Sequence, residues 1–337
     1  MVLETLFFAG ELIYIKYHNM DTFVRTVLGD IKVEDMGVTY SHEHIVIDDS
    51  YPTQSQPNFL LNDIQRIVTE LKTVYRLGGR TMVDTMPANC GRNVLALAEV
   101  SRRSGIQIIA PTGIHLEMYY PTNHWRYLYS VEELVEMFIA DIEIGIDRLD
   151  YGGPIVKRSP HKAGLLKLAT GDGEITSHQK KIFEAVALAH HRTGCPILTH
   201  SNAGLQAMSQ VKEFDKWGVD LSKVVISHVD RRKDIEYHRE LLKSGVNVEY
   251  DSCFRWKEGE DNWTMILLEA LLPEFPYQIT LGMDAARHSY WHSYGGSPGL
   301  GYLLTDLVAL LKERDLLWHW RHMMVDNPAS IFSFKKG

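Results

Sequence analysis

The chain of 337 residues contains no run of about 18 or more consecutive apolar residues, so no segment reads as a membrane span. Cysteine is scarce: Cys90, Cys195 and Cys253 are odd in number, widely spaced and without a C-x-x-C pair. That pattern excludes a disulfide framework and fits a reduced, cytoplasmic chain. Basic charge is not in excess, since 43 Asp and Glu outnumber 35 Lys and Arg for a formal net charge of −8. A general grip on nucleic acid or on an anionic membrane is therefore disfavoured, and a small-molecule substrate is expected. No G-x-G-x-x-G follows the first β-rich run, which removes the usual mark of a doubly wound dinucleotide-binding sheet. No low-complexity stretch or linker divides the chain. Residues 1–19 carry a short apolar patch broken by Glu4 and Glu11, with no basic leader and no cleavage site. They are read as an N-terminal extension ahead of a single domain over 20–337.

What the chain does have is alternation. Short β-branched runs recur at 38–42, 81–85, 106–113, 164–169, 195–200, 223–228, 246–250 and 278–284. Between them lie stretches with apolar residues at three- and four-residue spacing, several ending in glycine as helix C-termini do. Eight strand–helix alternations predict an α/β fold, a (β/α)8 TIM barrel, whose chemistry sits at the carboxyl ends of the strands.

Polar residues gather at those ends. His42 and His44 close the first run in TYSHEH, and a period of two puts them on one face with Glu43 on the other. With 16 histidines present, roughly one H-x-H is expected by chance, so the motif needs company. It has company: His200 closes CPILTH, His228 closes KVVISH, and Asp284 closes QITLGMD. Lys167 lies inside GLLKLA, where an inward amine would be an uncompensated charge in a packed core. Any one histidine at a strand end is an ordinary rim residue. Four imidazoles and a carboxylate on one rim form a donor set suited to zinc or a similar divalent metal. The other histidines, such as His190, His191, His319 and His322, lie on helices and are read as packing or surface residues. Cys253 near the rim leaves a thiol nucleophile as a minor option.

The ordered set VLGDI, SHEH, AGLLKLAT, ILTH, ISHVD, LGMD and DNPA resembles the phosphotriesterase-like branch of the amidohydrolase superfamily from about Thr26 to Phe334. The resemblance implies that His42, His44 and Asp284 hold one divalent ion and His200 and His228 the other. Lys167, carboxylated on its amine, would bridge them. Zinc is the first choice, with manganese or cobalt as alternatives. A carbamate turns a buried cation into an anion with two oxygen ligands, and two such metals can share a hydroxide at neutral pH and polarise a carbonyl or phosphoryl oxygen. Asp284 would accept the proton, with His228 or Asp230 as relays.

Substrate choice rests on the rim loops. His115 and Glu117 follow the third strand, Lys233 the sixth, Arg255 the seventh, and Arg287 and Tyr290 the eighth. These cations and hydroxyls suit phosphate oxygens. The expected enzyme is a lactonase for small, sugar-derived, phosphorylated lactones. A phosphotriesterase or another ester or amide hydrolase is the alternative, and a non-catalytic ligand-binding barrel stands behind both. A homodimer is left open.

Overall fold

A computed structural model describes residues 22–257 and 259–335, so the expected extension over 1–19 lies outside the described residues. Twelve strands run β1 Thr22–Thr26, β2 Gly29–Ile31, β3 Thr39–Glu43, β4 Thr81–Asp84, β5 Gln107–Ile109, β6 Pro111–Gly113, β7 Leu165–Thr170, β8 Ile197–Ser201, β9 Val224–Ser227, β10 Asn247–Tyr250, β11 Ile279–Leu281 and β12 Phe334–Lys335. Strands β3 to β5 pair in parallel in that order, as do β6 to β11. Only Ala110 separates β5 from β6, so the third predicted run is one strand with a break in its ladder. The last strand meets the first where Met283 and Asp284 donate their amides to the carbonyl of His42, at 3.3 and 3.0 Å. The eight predicted runs thus form one closed (β/α)8 barrel.

The helices follow from their caps. Asp63 caps the helix over Ile64–Arg76 and Asn93 the one over Val94–Ser104. Ser130 with Glu133 and Thr176 with Gln179 form capping boxes ahead of Val131–Glu143 and Ser177–Thr193. Gly105 and Gly194 end two of them in the left-handed conformation that glycine adopts without a Cβ penalty. Among the described residues no helix is long and apolar enough to cross a membrane.

The barrel interior is layered. On β7, Leu165 and Lys167 share a face, as do Leu198 and His200 on β8 and Val225 and Ser227 on β9. Leu165, Leu198 and Val225 join Val83, Ile109, Val24, Ile331 and Phe332 in one buried apolar cluster. This plug fills the amino end, so the next inward layer up is polar. Strand β1 and the terminal helix over Asn327–Phe332 supply its floor, and β1 pairs antiparallel with both β2 and β12.

Two departures from the expected strand limits matter. Strand β9 stops at Ser227 and β11 at Leu281, so His228 and Asp284 stand beyond the ladder, with φ of 64° and 46°. Non-glycine residues reach that left-handed region only at a cost of order 1 kcal/mol or more, and such sites cluster where function demands a side-chain direction.

Gly113 marks the tightest approach of neighbouring strands. It has φ +119°, and a Cβ placed there would lie 1.9 Å from the carbonyl oxygen of Lys167. Gly113→Ala is therefore expected to destabilise the chain by at least about 2 kcal/mol, through strain and a backbone clash. The measurement is the midpoint of denaturant unfolding against wild type. A change below about 0.5 kcal/mol would show that the strands separate freely here.

Candidate metal centre

The polar layer opens into a cavity of about 270 Å³ lined by His42, His44, His115, His200, Asp284, Arg231, Arg255, Arg287 and Tyr290, with Tyr119, Met86 and Phe59 among its apolar walls. The imidazoles form a continuous arc, with ring centroids 5.6 Å apart for His44 and His42, 4.7 Å for His42 and His228, 4.5 Å for His228 and His200, and 5.2 Å for His200 and His115. Asp284 Oδ1 lies 3.2 Å from Nε2 of His44 and 3.9 Å from Nε2 of His42. One donor atom from each of His42, His44 and Asp284 falls within 4.8 Å of the others. Lys167 is 1% exposed beneath them.

The protonation states suit metal ligation. Burial, with Lys167 next in weight, holds His42 well below the usual imidazole range, and burial with His228 does the same to His200. Both shifts favour the neutral ring, the form that coordinates. Against the cost of burial, His228, a hydrogen bond from His44, and then Arg255 and Arg231 hold Asp284 well below the carboxylate range. Burial also brings the Lys167 amine down to about 7, despite the surrounding carboxylates. Neutral imidazoles, an ionised carboxylate and an amine with a reachable neutral form fit a divalent centre.

A second carboxylate layer lies behind the histidines. His228 Nδ1 bonds Asp251, and Arg231 Nη2 spans Asp251 Oδ1 at 2.7 Å and Asp284 Oδ2 at 2.9 Å. Glu249 is fully buried, with Oε2 3.5 Å from His42 Nδ1. His42, His228, Glu249 and Asp251 each offer one atom within 4.8 Å of the rest. The sequence offers Arg231 as a rim cation for substrate rather than as a bridge between Asp251 and Asp284, and sequence reasoning missed Glu249 and Asp251, although a signal existed: Glu249 and Asp251 at i and i+2 repeat the one-face spacing of His42 and His44.

Several expected substrate residues lie elsewhere. Glu117 turns to the buried Arg126, 3.3 Å away, and accepts from Gln179 at 3.2 Å, so it is occupied outside the cavity. Lys233 is exposed, with its ammonium 5.0 Å over the ring of Trp256. Asp230 is buried below the rim, accepting from Ser252 N at 2.8 Å and Thr264 Oγ1 at 2.6 Å, and burial, with Asp251 next, pushes it up to about 6. The cavity lining does not include any of the three. Arg255 does line it, yet its guanidinium is engaged by Asp284 Oδ2 at 3.1 Å, by the carbonyls of Met283 and Asp284 at 2.9 and 2.7 Å, and by Tyr290 Oη at 2.9 Å. Arg287 stacks over Phe59 at 5.4 Å. All three cysteines are free and buried, burial raises the Cys253 thiol, which disfavours the thiolate, and Cys253 is not among the residues that line the cavity.

The Phosphotriesterase family profile matches residues 22–332. The chain belongs to the phosphotriesterase family. This family is one of binuclear metal hydrolases, and the chain is an enzyme of that class. Its relatives include a phospho-furanose lactonase of Mycoplasmopsis synoviae, 33% identical across 93% of this chain and 92% of that one. Two solved structures superimpose over most of their length. An amidohydrolase from Mycoplasma synoviae does so with a TM-score of 0.90 at 33% identity, covering 94% of each chain. A lactonase from Listeria monocytogenes gives 0.85 at 31% identity, covering 93% of this chain and 100% of that one.

A centre that binds metal only when folded must couple ligand to stability. Zinc added to metal-stripped protein at a hundredfold excess over Kd is expected to raise stability by about 2.7 kcal/mol per independent site, read as a higher Tm. His42→Asn is expected to shrink that shift. An unchanged Tm in the wild-type chain would contradict the assignment of this rim as a metal centre.

Proposed function

We propose that this member of the phosphotriesterase family is a metal-dependent lactonase that opens small sugar-derived lactones bearing a phosphate. The observation that carries the proposal is the position of Arg287: its guanidinium lines the same cavity as His42, His44, His200 and Asp284, and no carboxylate partner holds it among the described residues. A cation free to take an anion thus faces a hydrolytic rim. The phospho-furanose lactonase named above supports the same substrate class.

His42, His44 and Asp284 would hold one divalent ion and His200 and His228 the other, with the carboxylated Lys167 between them. Bound there, such ions supply a water of lowered pKa and a Lewis acid for the lactone carbonyl. Arg287 orients the substrate by its distal phosphate, and Tyr290, whose hydroxyl is held by Arg255, lines the same cavity. Water adds to the carbonyl carbon, the ring C–O bond breaks, and the proton released by the water ends on the departing alkoxide to give a hydroxy acid. Asp284 carries that proton. Two guanidiniums hold its Oδ2 while Oδ1 faces the histidines, so the carboxylate is ionised before attack, fixed in place, and takes and passes on the proton at Oδ1. Zinc is the metal of choice for this set of nitrogen and oxygen donors, with manganese or cobalt as substitutes.

The test compares kcat/KM for matched lactones with and without phosphate and for a phosphotriester, in wild type and in Arg287→Met. The phosphorylated lactone is expected to lead, and Arg287→Met to cut its advantage by at least about tenfold, as loss of a charge-assisted hydrogen bond requires. Equal rates with and without phosphate in the wild type would overturn the anion assignment. A leading phosphotriester would overturn the lactone.

Lys167→Ala is expected to abolish turnover, with partial return on addition of a short carboxylic acid that occupies the place of the carbamate. Asp284→Asn is expected to lower kcat by about 10²–10⁴-fold with the fold intact, because the amide keeps the shape and cannot take a proton. Undiminished kcat in a metal-loaded Asn variant would assign the proton transfer to another group.

A further inference from the structure

Glu249 has no role in the reaction described above, and its surroundings make it unusual. It sits in β10, paired across the ladder with Ser227 of β9 and Thr280 of β11, and is fully buried. Among the described residues neither of its carboxyl oxygens has a hydrogen-bond partner. A buried carboxyl without partners is costly, so a chain that keeps one there has a use for it. Space is reserved for it as well: a Cβ on Gly282 would lie 2.6 Å from Glu249 Oε1 and 2.9 Å from the His42 amide nitrogen. The ring of His42 lies beside it, with Nδ1 3.5 Å from Oε2 and 2.9 Å from Ser227 Oγ.

An imidazole that gives Nε2 to a metal keeps its proton on Nδ1 and needs an acceptor there. His228 has one in Asp251, which bonds its Nδ1. Glu249 stands two residues earlier, inside β10, and Asp251 directly follows the last residue of that strand. The end of one strand and the residue after it therefore supply one carboxyl group behind each of two histidines.

We propose that Glu249 is the positioning residue for His42. It shares the Nδ1–H with Ser227, fixes the tautomer that presents Nε2 to the cavity, and thereby sets the affinity of the ion held by His42, His44 and Asp284. The inference rests on His42 being a metal ligand.

The test is a zinc titration of metal-stripped wild type, Glu249→Gln, Ser227→Ala and Asp251→Asn by chelator competition, with cobalt spectra of each and Tm as the check on folding. Glu249→Gln is expected to weaken one of the two ions by about 10–100-fold and to shift the cobalt bands of that site, leaving the other ion as in wild type. Asp251→Asn is expected to weaken the other ion. Ser227→Ala, which leaves Glu249 as the sole acceptor, is expected to change affinity by less than about threefold. Turnover of Glu249→Gln is expected to return when zinc is raised to saturation. Wild type binding two ions, with Glu249→Gln binding both at wild-type affinity and with an unchanged cobalt spectrum, overturns this proposal alone. Wild type binding no ion overturns the metal-ligand assignment of His42 along with it. If Glu249→Gln fails to fold, a weakening of tenfold or more in Ser227→Ala overturns the proposal and a wild-type affinity supports it.

Discussion

The seam between the first and last barrel strands is the contact on which the rest depends. Met283 and Asp284 donate to the carbonyl of His42, and the carboxylate of Glu43 accepts from Met283 N at 2.8 Å and Ala285 N at 3.3 Å. These bonds join residues about 240 positions apart. They close the sheet, and in closing it they set Asp284 beside His42 and His44. Glu43, between the two histidines in sequence, points away from their cavity and into this seam. The H-x-H pair and the residue within it thus divide the labour between chemistry and closure.

Electrostatics follow from the layering. An apolar plug leaves the metal-facing layer with nowhere to drain its charge except sideways and upward. The carboxylates of Glu249 and Asp251 lie behind the histidines, whereas Arg231 and Arg255 hold Asp284 from the cavity side. Arg231 bridges Asp251 and Asp284, so the acids that neighbour the two histidine groups share one guanidinium. The cavity therefore carries Arg231, Arg255 and Arg287 in the same lining as His42, His44 and His200.

The barrel was legible because strand period and helix period alternate without interruption, and because the strand-end histidines fall at equivalent places in successive units. The rim was legible for the same reason. The second carboxylate layer was not, since Glu249 and Asp251 read as ordinary strand polarity until the closed sheet puts them behind rings from other strands. Glu117 and Lys233 show the converse failure. A loop residue's address in sequence says which rim it belongs to, but the buried Arg126 claims Glu117, and the turn into the helix over Ile235–Lys243 carries Lys233 into solvent. Asp230 sits two residues beyond a histidine of the rim, yet it bonds Ser252 and Thr264 below it, because the chain enters a short helical turn at His228 that turns Asp230 away from the cavity.

The floor of the barrel has a consequence for the order of events during synthesis. Phe334 of β12 packs tilted against Phe23 of β1 with ring centroids 4.4 Å apart, and Ile331 and Phe332 complete the plug that Val24 begins. The lower ends of the barrel strands are therefore covered only once β12 has been made and can reach β1, so the strands translated in between keep an apolar edge open until a pairing between distant parts of the chain forms.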